Sequence, residues 1–220
     1  MSALRSLYTR TAALLVLIVL GGTISSLRAQ EVNVFFGMGS AHDSASPALF
    51  TLDGFNFYQR NSLGGVFGSF GADFMLTPHL GVGGEYAFRF AQTDYVPGLG
   101  LKARPGFYDF NAIYQPTKES KIVPVFQAGL GGARVSYYIN QSVTSPLSGT
   151  TTYNTLVDQS NHFQLHFAAG VRFHLTNNIF IRPQFDLHWV HGFTDPNVPV
   201  YGSDWVPQYT IAIGYTFGAH

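Results

Sequence analysis

The fold is decided near the end of the chain, by the segment Tyr209-Thr210-Ile211-Ala212-Ile213-Gly214-Tyr215-Thr216-Phe217. Large apolar side chains occupy every odd position of this segment, and small or polar side chains stand between them. A period of two places successive side chains on opposite faces of a β-strand. The segment therefore predicts a strand with one apolar face and one small or polar face.

Seven other segments alternate in the same way. They span residues 31–38, 66–76, 80–91, 107–114, 122–138, 163–175 and 179–190. Short turns alternate with long connections, and the long ones span residues 39–65, 92–106, 139–162 and 191–207. Short and long connections at opposite ends are typical of membrane-spanning barrels. We therefore predict an all-β protein, an eight-stranded antiparallel up-and-down transmembrane β-barrel whose last strand pairs with the first and the seventh.

The fifth segment changes phase in the middle. Its apolar residues are even-numbered up to Leu130 and odd-numbered from Ala133 to Tyr137. The change falls at Gly131-Gly132, where a β-bulge is easily accommodated. This interpretation places Arg134 on the polar row of the barrel and Tyr137 on its apolar row.

The N-terminal residues have the features of a signal peptide. Arg5 and Arg10 precede an apolar run of nine residues, 12–20, which is too short to span a bilayer as a helix. Small and polar residues follow, and we place cleavage after Ala29. The sequence thus predicts a leader at 1–29.

We expect residues 30–220 to form one barrel domain with little charge. The chain has twelve basic and twelve acidic residues, and three of the basic ones fall in the leader, which leaves a net charge of −3 with His neutral. No basic patch indicates nucleic-acid binding. Charged residues make up 11% of the chain, against about 25% in soluble domains. The absence of cysteine excludes disulfides, thiolate metal sites and a lipid anchor on Cys.

The charges within the predicted strands decide which face points inward. All eight fall on the polar row: Asp73, Glu85, Arg89, Asp109, Arg134, Arg172, Arg182 and Asp186. Eight charges are too few for the exterior of a soluble lipocalin-like barrel, but they suit the packed interior of a small membrane barrel. Aromatic residues lie near both ends of the apolar row, as in interfacial girdles. They are Tyr108, Tyr137, Trp189 and Tyr209 at one end and Tyr114, Tyr215 and Phe217 at the other.

Together, the leader, the eight-segment meander and the ending Gly214-Tyr215-Thr216-Phe217 resemble the small eight-stranded bacterial outer-membrane barrels, the OmpA-type transmembrane domain and the OmpX-like proteins. The resemblance implies Sec export, location in the outer membrane of a Gram-negative cell envelope, and assembly by the barrel-insertion machinery, with the last strand as its signal. It also implies contact with outer-membrane lipid and lipopolysaccharide, and we expect a monomer. Two features depart from the pattern: Gly218-Ala219-His220 follow the last aromatic residue, and no peptidoglycan-binding domain follows the barrel.

The eight charges predict a salt-bridge network that plugs the lumen, because an isolated buried charge is strongly unfavourable. An eight-stranded barrel leaves an interior that side chains fill. A turn near Asn177 would place Arg172 beside Arg182, and we expect Asp186 with Glu85 or Asp109 to neutralise them. The alternative is a narrow, porin-like path for ions or small solutes lined by the same residues.

The same turn would place His166 opposite His188. Two neighbouring histidines can bind a metal, but no spacing typical of a metal motif accompanies them. We interpret them as neutral hydrogen-bonding side chains, and we expect no metal or cofactor.

Ala41-His42-Asp43-Ser44 contains the residue types of a hydrolase triad. Lipid A-modifying enzymes are also small barrels, but adjacent residues rarely converge on one another, so we expect no enzymatic activity and assign no catalytic residue. The long connections carry aromatic residues that suit either binding or mutual packing. The sequence therefore favours a non-enzymatic outer-membrane protein with a structural or surface-interaction role.

Overall fold

The computed structural model describes residues 31–43, 49–51, 57–59, 63–96, 100–117, 120–145, 149–194 and 201–218. The predicted leader and its cleavage site lie outside these residues. Eight strands form the barrel: β1 (Glu31–Ala41), β2 (Val66–Met75), β3 (Leu80–Arg89), β4 (Leu101–Tyr114), β5 (Ile122–Ser145), β6 (Gly149–His174), β7 (Ile179–Val190) and β8 (Trp205–Phe217). Leu49–Thr51 pairs with Phe57–Gln59 in a separate hairpin, and Thr93–Val96 adds a short strand beside β4. The described residues include no helix long and apolar enough to cross a membrane.

Each barrel strand pairs antiparallel with its neighbours in the chain, and β8 returns to pair with β1. The closing register runs from Val32 opposite Phe217 to Ala41 opposite Gln208. The other side of β8 pairs with β7, from Ile179 opposite Tyr215 to Trp189 opposite Trp205. The eight-stranded barrel predicted from the sequence is confirmed, and so is the closing role of its last strand.

The alternation of each strand becomes an apolar exterior and a filled interior. On β8, Tyr209, Ile211, Ile213, Tyr215 and Phe217 are exposed, while the residues between them are buried. An exterior of this kind is stable only when lipid rather than water surrounds it. The assignment of the apolar row to the outside is therefore confirmed for this strand.

The predicted phase change in β5 is wrong. The pairing of β4 with β5 runs without a shift from Leu101 opposite Ile139 to Tyr114 opposite Phe126. Arg134 consequently lies on the exposed face and donates a hydrogen bond to Gln159 Oε1, outside the lumen. Tyr137 is buried inside rather than part of an aromatic girdle. The prediction failed because the outer end of the lumen is apolar, so apolar residues at 133, 135 and 137 face inward.

Two strands extend well beyond the segments predicted for them. β5 and β6 pair with each other as far as Ser145 opposite Gly149. The last lateral pair that holds β5 to β4 is Ile139 with Leu101. Beyond that pair the two strands pair only with each other and form a two-stranded ribbon, here called the β5–β6 ribbon and comprising residues 140–145 and 149–154. Because the short turns and both ends of the barrel lie at the opposite rim, the ribbon projects from the long-loop rim, the outer one.

Candidate functional site in the barrel lumen

The lumen is layered along its axis, and β7 passes through every layer. From the short-turn rim outward, its inward residues are Phe180, Arg182, Gln184, Asp186, His188 and Val190, and all of them are buried. Apolar side chains lie at the two ends of this series, and charged or polar ones lie between them. The lumen is therefore a stack of apolar and polar layers and not a uniform polar channel.

The outer apolar layer closes the lumen below the long loops. It comprises Ala41, Leu63, Phe67, Ala87, Ala103, Phe107, Ala133, Val135, Tyr137, Val190, Phe193, Tyr201 and Val206. Phe193 and Tyr201 come from the two described ends of the last long connection and are buried in this layer. The backbone of this connection is held there by Asp204 Oδ1, which accepts from the Thr194 N–H at 2.9 Å, and by Asp43 Oδ2, which accepts from the Gly202 N–H at 3.1 Å. Burial raises the pKa of the Tyr201 hydroxyl, which keeps this group neutral within the layer.

The inner end of the lumen is filled by a second apolar set. Met75, Ile113, Val123 and Val125 pack together on one side, and Phe35 packs with Phe180 and Ala212 on the other. The Phe180 ring lies where a Cβ on Gly214 would stand, which gives this position of β8 a reason to lack a side chain. We call these residues the inner apolar layer.

The arginine cluster lies beside the inner apolar layer, since Arg172 is opposite Val123 and Arg182 is opposite Ala212; it comprises Glu31, Asp73, Glu85, Arg172 and Arg182. Asp73 Oδ2 accepts from Arg172 Nη2 at 3.1 Å and from Arg182 Nη1 at 3.0 Å. Arg172 Nη1 also donates to Glu31 at 2.9 Å, and Arg182 Nη2 lies 3.5 Å from Glu85. The guanidinium of Arg182 stacks 3.6 Å from the centroid of the Phe35 ring, an arrangement that favours a desolvated cation.

The histidine cluster lies on the outer side of the arginine cluster and comprises Asp109, Asn111, His166, Asp186 and His188. His166 Nδ1 lies 2.9 Å from Asn111 Oδ1 and 3.4 Å from Asp109, and its Nε2 lies 3.2 Å from Asp186. Asn111 Nδ2 donates to Asp109 Oδ1 at 2.5 Å. The pairing of His166 opposite His188, inferred from the turn, agrees with the register of β6 and β7. Gln184 Nε2 joins the two clusters by donating to Glu85 and Asp186.

The eight charges singled out in the sequence separate into three groups. Six of them fall in the two clusters. Arg89 is buried apart from both clusters at the outer end, where its Nη1 donates to Thr93 at 2.8 Å. Arg134 lies outside the lumen, as described above. The neutralising partners of the arginines also differ from expectation, because Asp73 and Glu31 take this role with Glu85, while Asp109 and Asp186 contact His166.

Sequence reasoning missed Glu31 as a cluster residue. The sequence contained an indication of this role, because Glu31 lies two residues before Asn33 and therefore on the same face of β1. Asn33 is buried and donates to Glu31 Oε1 at 2.7 Å. The loop aromatics divide as well: Tyr201 is buried, whereas Tyr153 and Trp205 are exposed. Of the triad-like residues, His42 Nε2 lies 3.2 Å from Ser40 Oγ and Asp43 bonds the Gly202 backbone; Ser44 lies outside the described residues.

The fold and the lumen define a class of protein, the eight-stranded transmembrane β-barrel with a filled interior. No protein-family model matches the chain, and no curated protein matches it. Solved structures do resemble it, and they are small outer-membrane barrels.

Three of these structures are similar over almost their whole length. Neisserial surface protein A has 15% identity and a TM-score of 0.52, covering 86% of this chain and 97% of its own. OprG from Pseudomonas aeruginosa has 15% identity and a TM-score of 0.51, covering 87% and 97%. Ail, the attachment invasion locus protein of Yersinia pestis, in complex with the heparin analogue sucrose octasulfate, has 12% identity and a TM-score of 0.50, covering 85% and 98%. At these identities the likeness establishes the fold, and with the apolar exterior it supports the outer-membrane location expected from the sequence.

Proposed function

We propose that this chain is a non-enzymatic outer-membrane barrel with a closed lumen. It has a structural role in the outer membrane and interacts with other molecules through its outer surface. One observation carries the proposal: the two charged clusters fill the middle of the lumen with paired side chains, and the outer apolar layer, with Arg89 beside it, covers them. A conducting path needs continuous polar or hydrated lining, and the outer apolar layer interrupts such a lining. Removal of a leader at residues 1–29 during export is part of the same proposal.

Planar-bilayer recording of the purified protein tests the closed lumen. We expect no steady openings from the native protein. Steady openings whose conductance changes in Arg172→Ala would contradict the proposal and favour the narrow channel. Arg134→Ala is the matched control, since this arginine lies outside the lumen and its loss should leave the recording unchanged.

A lipid-modifying enzyme is the alternative from a different class. Asp43 argues against this alternative, because its carboxylate accepts a hydrogen bond from the backbone N–H of Gly202 and so does not orient a catalytic histidine. The lipid A of cells that express the protein provides the test. Altered acylation that is lost in Ser44→Ala or His42→Ala would contradict a non-enzymatic role; an unaltered acylation pattern is expected.

The surface role is supported by the β5–β6 ribbon and the residues that follow it on β6. Tyr153, Leu156 and Val157 are exposed there, beyond Gln164, the last residue of β6 that pairs with β7. Apolar side chains on a projecting ribbon form a surface suited to contact with another molecule. Retention of expressing cells on protein-coated and bare surfaces should fall when Tyr153 and Leu156 are replaced by Ser. Unchanged retention on every surface would contradict this part of the proposal.

Lipopolysaccharide is the partner we propose in the outer leaflet. Arg104 lies on the same outward row as Phe88, 5.6 Å from the centroid of that ring, and Arg134 lies outward on the neighbouring strand. Both are near the outer end of the barrel, where phosphate groups of lipid A would meet guanidiniums. We expect a higher unfolding temperature in lipopolysaccharide-containing bilayers than in pure phospholipid. The double variant Arg104→Gln/Arg134→Gln should lose that difference, and an undiminished difference would remove these arginines from the contact.

A further inference from the structure

Two stacked histidine rings lie at the centre of the lumen. The rings of His166 and His188 are 4.8 Å apart between centroids and inclined by 20°. On the other face of His188, the Phe107 ring stacks at 4.6 Å. One ligand atom from each of Asp109, His166 and His188 lies within 4.8 Å of the other two, and all three residues are buried. This arrangement brings two imidazoles and a carboxylate together in a space closed to bulk solvent.

His188 has the strongest requirement for a ligand. It is 2% exposed, and neither of its ring nitrogens has a hydrogen-bond partner within the part of the chain that the structure describes. A buried polar atom without a partner is destabilising by roughly 1–3 kcal/mol. A ring whose only role was packing would be better supplied by phenylalanine, so the nitrogens of His188 call for a separate explanation.

The charges of the lumen point to a cation. The arginine and histidine clusters together hold five carboxylates, on Glu31, Asp73, Glu85, Asp109 and Asp186, against the two guanidiniums of Arg172 and Arg182. His166 offsets one of these charges when both of its ring nitrogens carry a proton, and the remaining excess lies on the histidine side, where Asp109 and Asp186 flank that ring. Uncompensated negative charge in a desolvated interior is strongly unfavourable. A divalent cation between these groups would remove most of the excess.

We propose that Asp109, His166 and His188 bind one divalent transition-metal ion of the Zn²⁺ class inside the lumen. Two imidazoles and a carboxylate are a ligand set typical of zinc and of neighbouring first-row metals. With bonds of about 2.0–2.1 Å, a tetrahedral ion brings its ligand atoms to roughly 3.3 Å from one another. The ligand atoms now lie within 4.8 Å of one another, so binding requires them to close by roughly 1.5 Å and the two stacked imidazole rings to turn until a nitrogen of each faces the ion. A water molecule completes the coordination.

The surrounding residues form the outer shell that such a site needs. A metal-bound imidazole usually donates its other N–H to a carboxylate, which fixes the ring. Asp186 lies 3.2 Å from His166 Nε2 and is placed to accept this bond, while Nδ1 binds the ion in place of its present contact with Asn111 Oδ1 at 2.9 Å. Asn111 Nδ2 holds Asp109 at 2.5 Å. Binding then replaces the proton on Nδ1 of His166, and that proton leaves to solvent as the ion enters.

The location of the site sets how it is loaded. The outer apolar layer closes the lumen above His188, and the arginine cluster and the inner apolar layer close it below. The ion therefore enters as the barrel folds, and a chelator added to the folded protein removes it slowly. This inference is independent of the proposed function, because a closed lumen with or without the ion would be equally silent in a bilayer recording.

Metal content after refolding is the first test. The protein is refolded from denaturant into detergent with Zn²⁺, freed of loose metal by chelator and gel filtration, and assayed by elemental analysis. We expect about one Zn²⁺ per chain in the native protein and in the control His191→Ala, whose histidine is exposed at the rim. His188→Phe keeps the stacked ring and loses the nitrogens, so it should bind less than a tenth as much.

Refolding with Co²⁺ adds a readout specific to coordination. Visible absorption of four- or five-coordinate Co²⁺ should appear in the native protein and vanish in His188→Phe and Asp109→Asn. The difference in gel mobility between boiled and unboiled samples establishes that each variant has folded. If His188→Phe does not fold, Asp109→Asn provides the test in its place. Native protein with no retained Zn²⁺ and no Co²⁺ spectrum, or a folded His188→Phe with undiminished metal, would overturn the proposal and leave a hydrogen-bonded histidine pair.

Discussion

Asp73 accepts hydrogen bonds from two arginines, and both of those arginines are almost completely buried. Two guanidiniums side by side repel each other unless carboxylates lie between and beside them. Asp73 lies between them, while Glu31 and Glu85 take the outer sides. The arginine cluster therefore depends on this single carboxylate more than on any other of its members.

We predict that Asp73→Asn destabilises the barrel by about 3–5 kcal/mol, because it leaves two buried cations short of a partner. Denaturant unfolding in lipid vesicles measures the change. Asp94→Asn, at an exposed position on the short strand beside β4, is the control and should change stability by less than about 0.5 kcal/mol. Equal effects of the two variants would mean that the cluster does not contribute to stability.

Single residues show how much of the lumen's lining can be predicted from odd and even positions alone. Period-two alternation places Asp73, Arg172 and Arg182 inside because their strands keep one phase throughout. It does not reveal which acid meets which arginine, since that depends on the radial direction of long side chains across the barrel. The histidine cluster was similarly visible as a pair, while the contact of Asp109 with His166 joins strands that are distant in the sequence.

Among the strands, β5 shows which features of a strand can be predicted from its composition and which cannot. Apolar residues face lipid along most of the strand, but Ala133, Val135 and Tyr137 face inward into the outer apolar layer. Placing every apolar residue of β5 on the outer face therefore required a β-bulge that the strand does not have. Residues 139–162 were interpreted as a connection because their apolar residues do not alternate with a period of two, whereas backbone pairing between β5 and β6 defines the strands there.

The continuous phase of β5 predicts opposite accessibility for two adjacent positions. The chain contains no cysteine, so single cysteines can be introduced cleanly. Arg134→Cys should react with a membrane-impermeant maleimide on intact cells, and Val135→Cys, which is buried, should remain unlabelled until the protein is denatured. The reverse pattern would restore the bulge at Gly131-Gly132.

The ribbon predicts a second property of β5 and β6. Because residues beyond Ile139 pair only with one another, replacing 141–153 by a short turn should leave the barrel folded. Unboiled gel mobility of the shortened protein, compared with its own boiled form, measures this. Loss of the folded band would show that the ribbon contributes to barrel stability after all.

For the whole molecule, the apolar exterior implies that a membrane surrounds the barrel. Ile211 lies between the aromatic ends of β8 and is 66% exposed. Ile211→Arg should destabilise the protein by about 2–4 kcal/mol, since it places a cation in hydrocarbon. Leu156→Arg makes a similar change at a residue that is 45% exposed but lies above the barrel, and it should cost less than about 0.5 kcal/mol. Similar costs would contradict the position of the membrane.

The architecture was predictable because eight alternating segments and their unequal connections constrain the fold together, although each is weak alone. Tyr209–Phe217 began as one such segment and proved to be the strand that closes the barrel against β1. The charged clusters add a filled interior beneath the outer apolar layer. Together these parts form one closed, folded barrel in an outer membrane.

The most direct measurement compares boiled and unboiled samples of isolated outer membranes on a denaturing gel. A closed barrel resists the detergent until it is heated, because unfolding must break a continuous ring of strand pairs. We predict that the protein lies in the outer-membrane fraction and that its mobility changes on boiling. A single mobility before and after boiling, with the protein in the inner membrane or the cytosol, would contradict it.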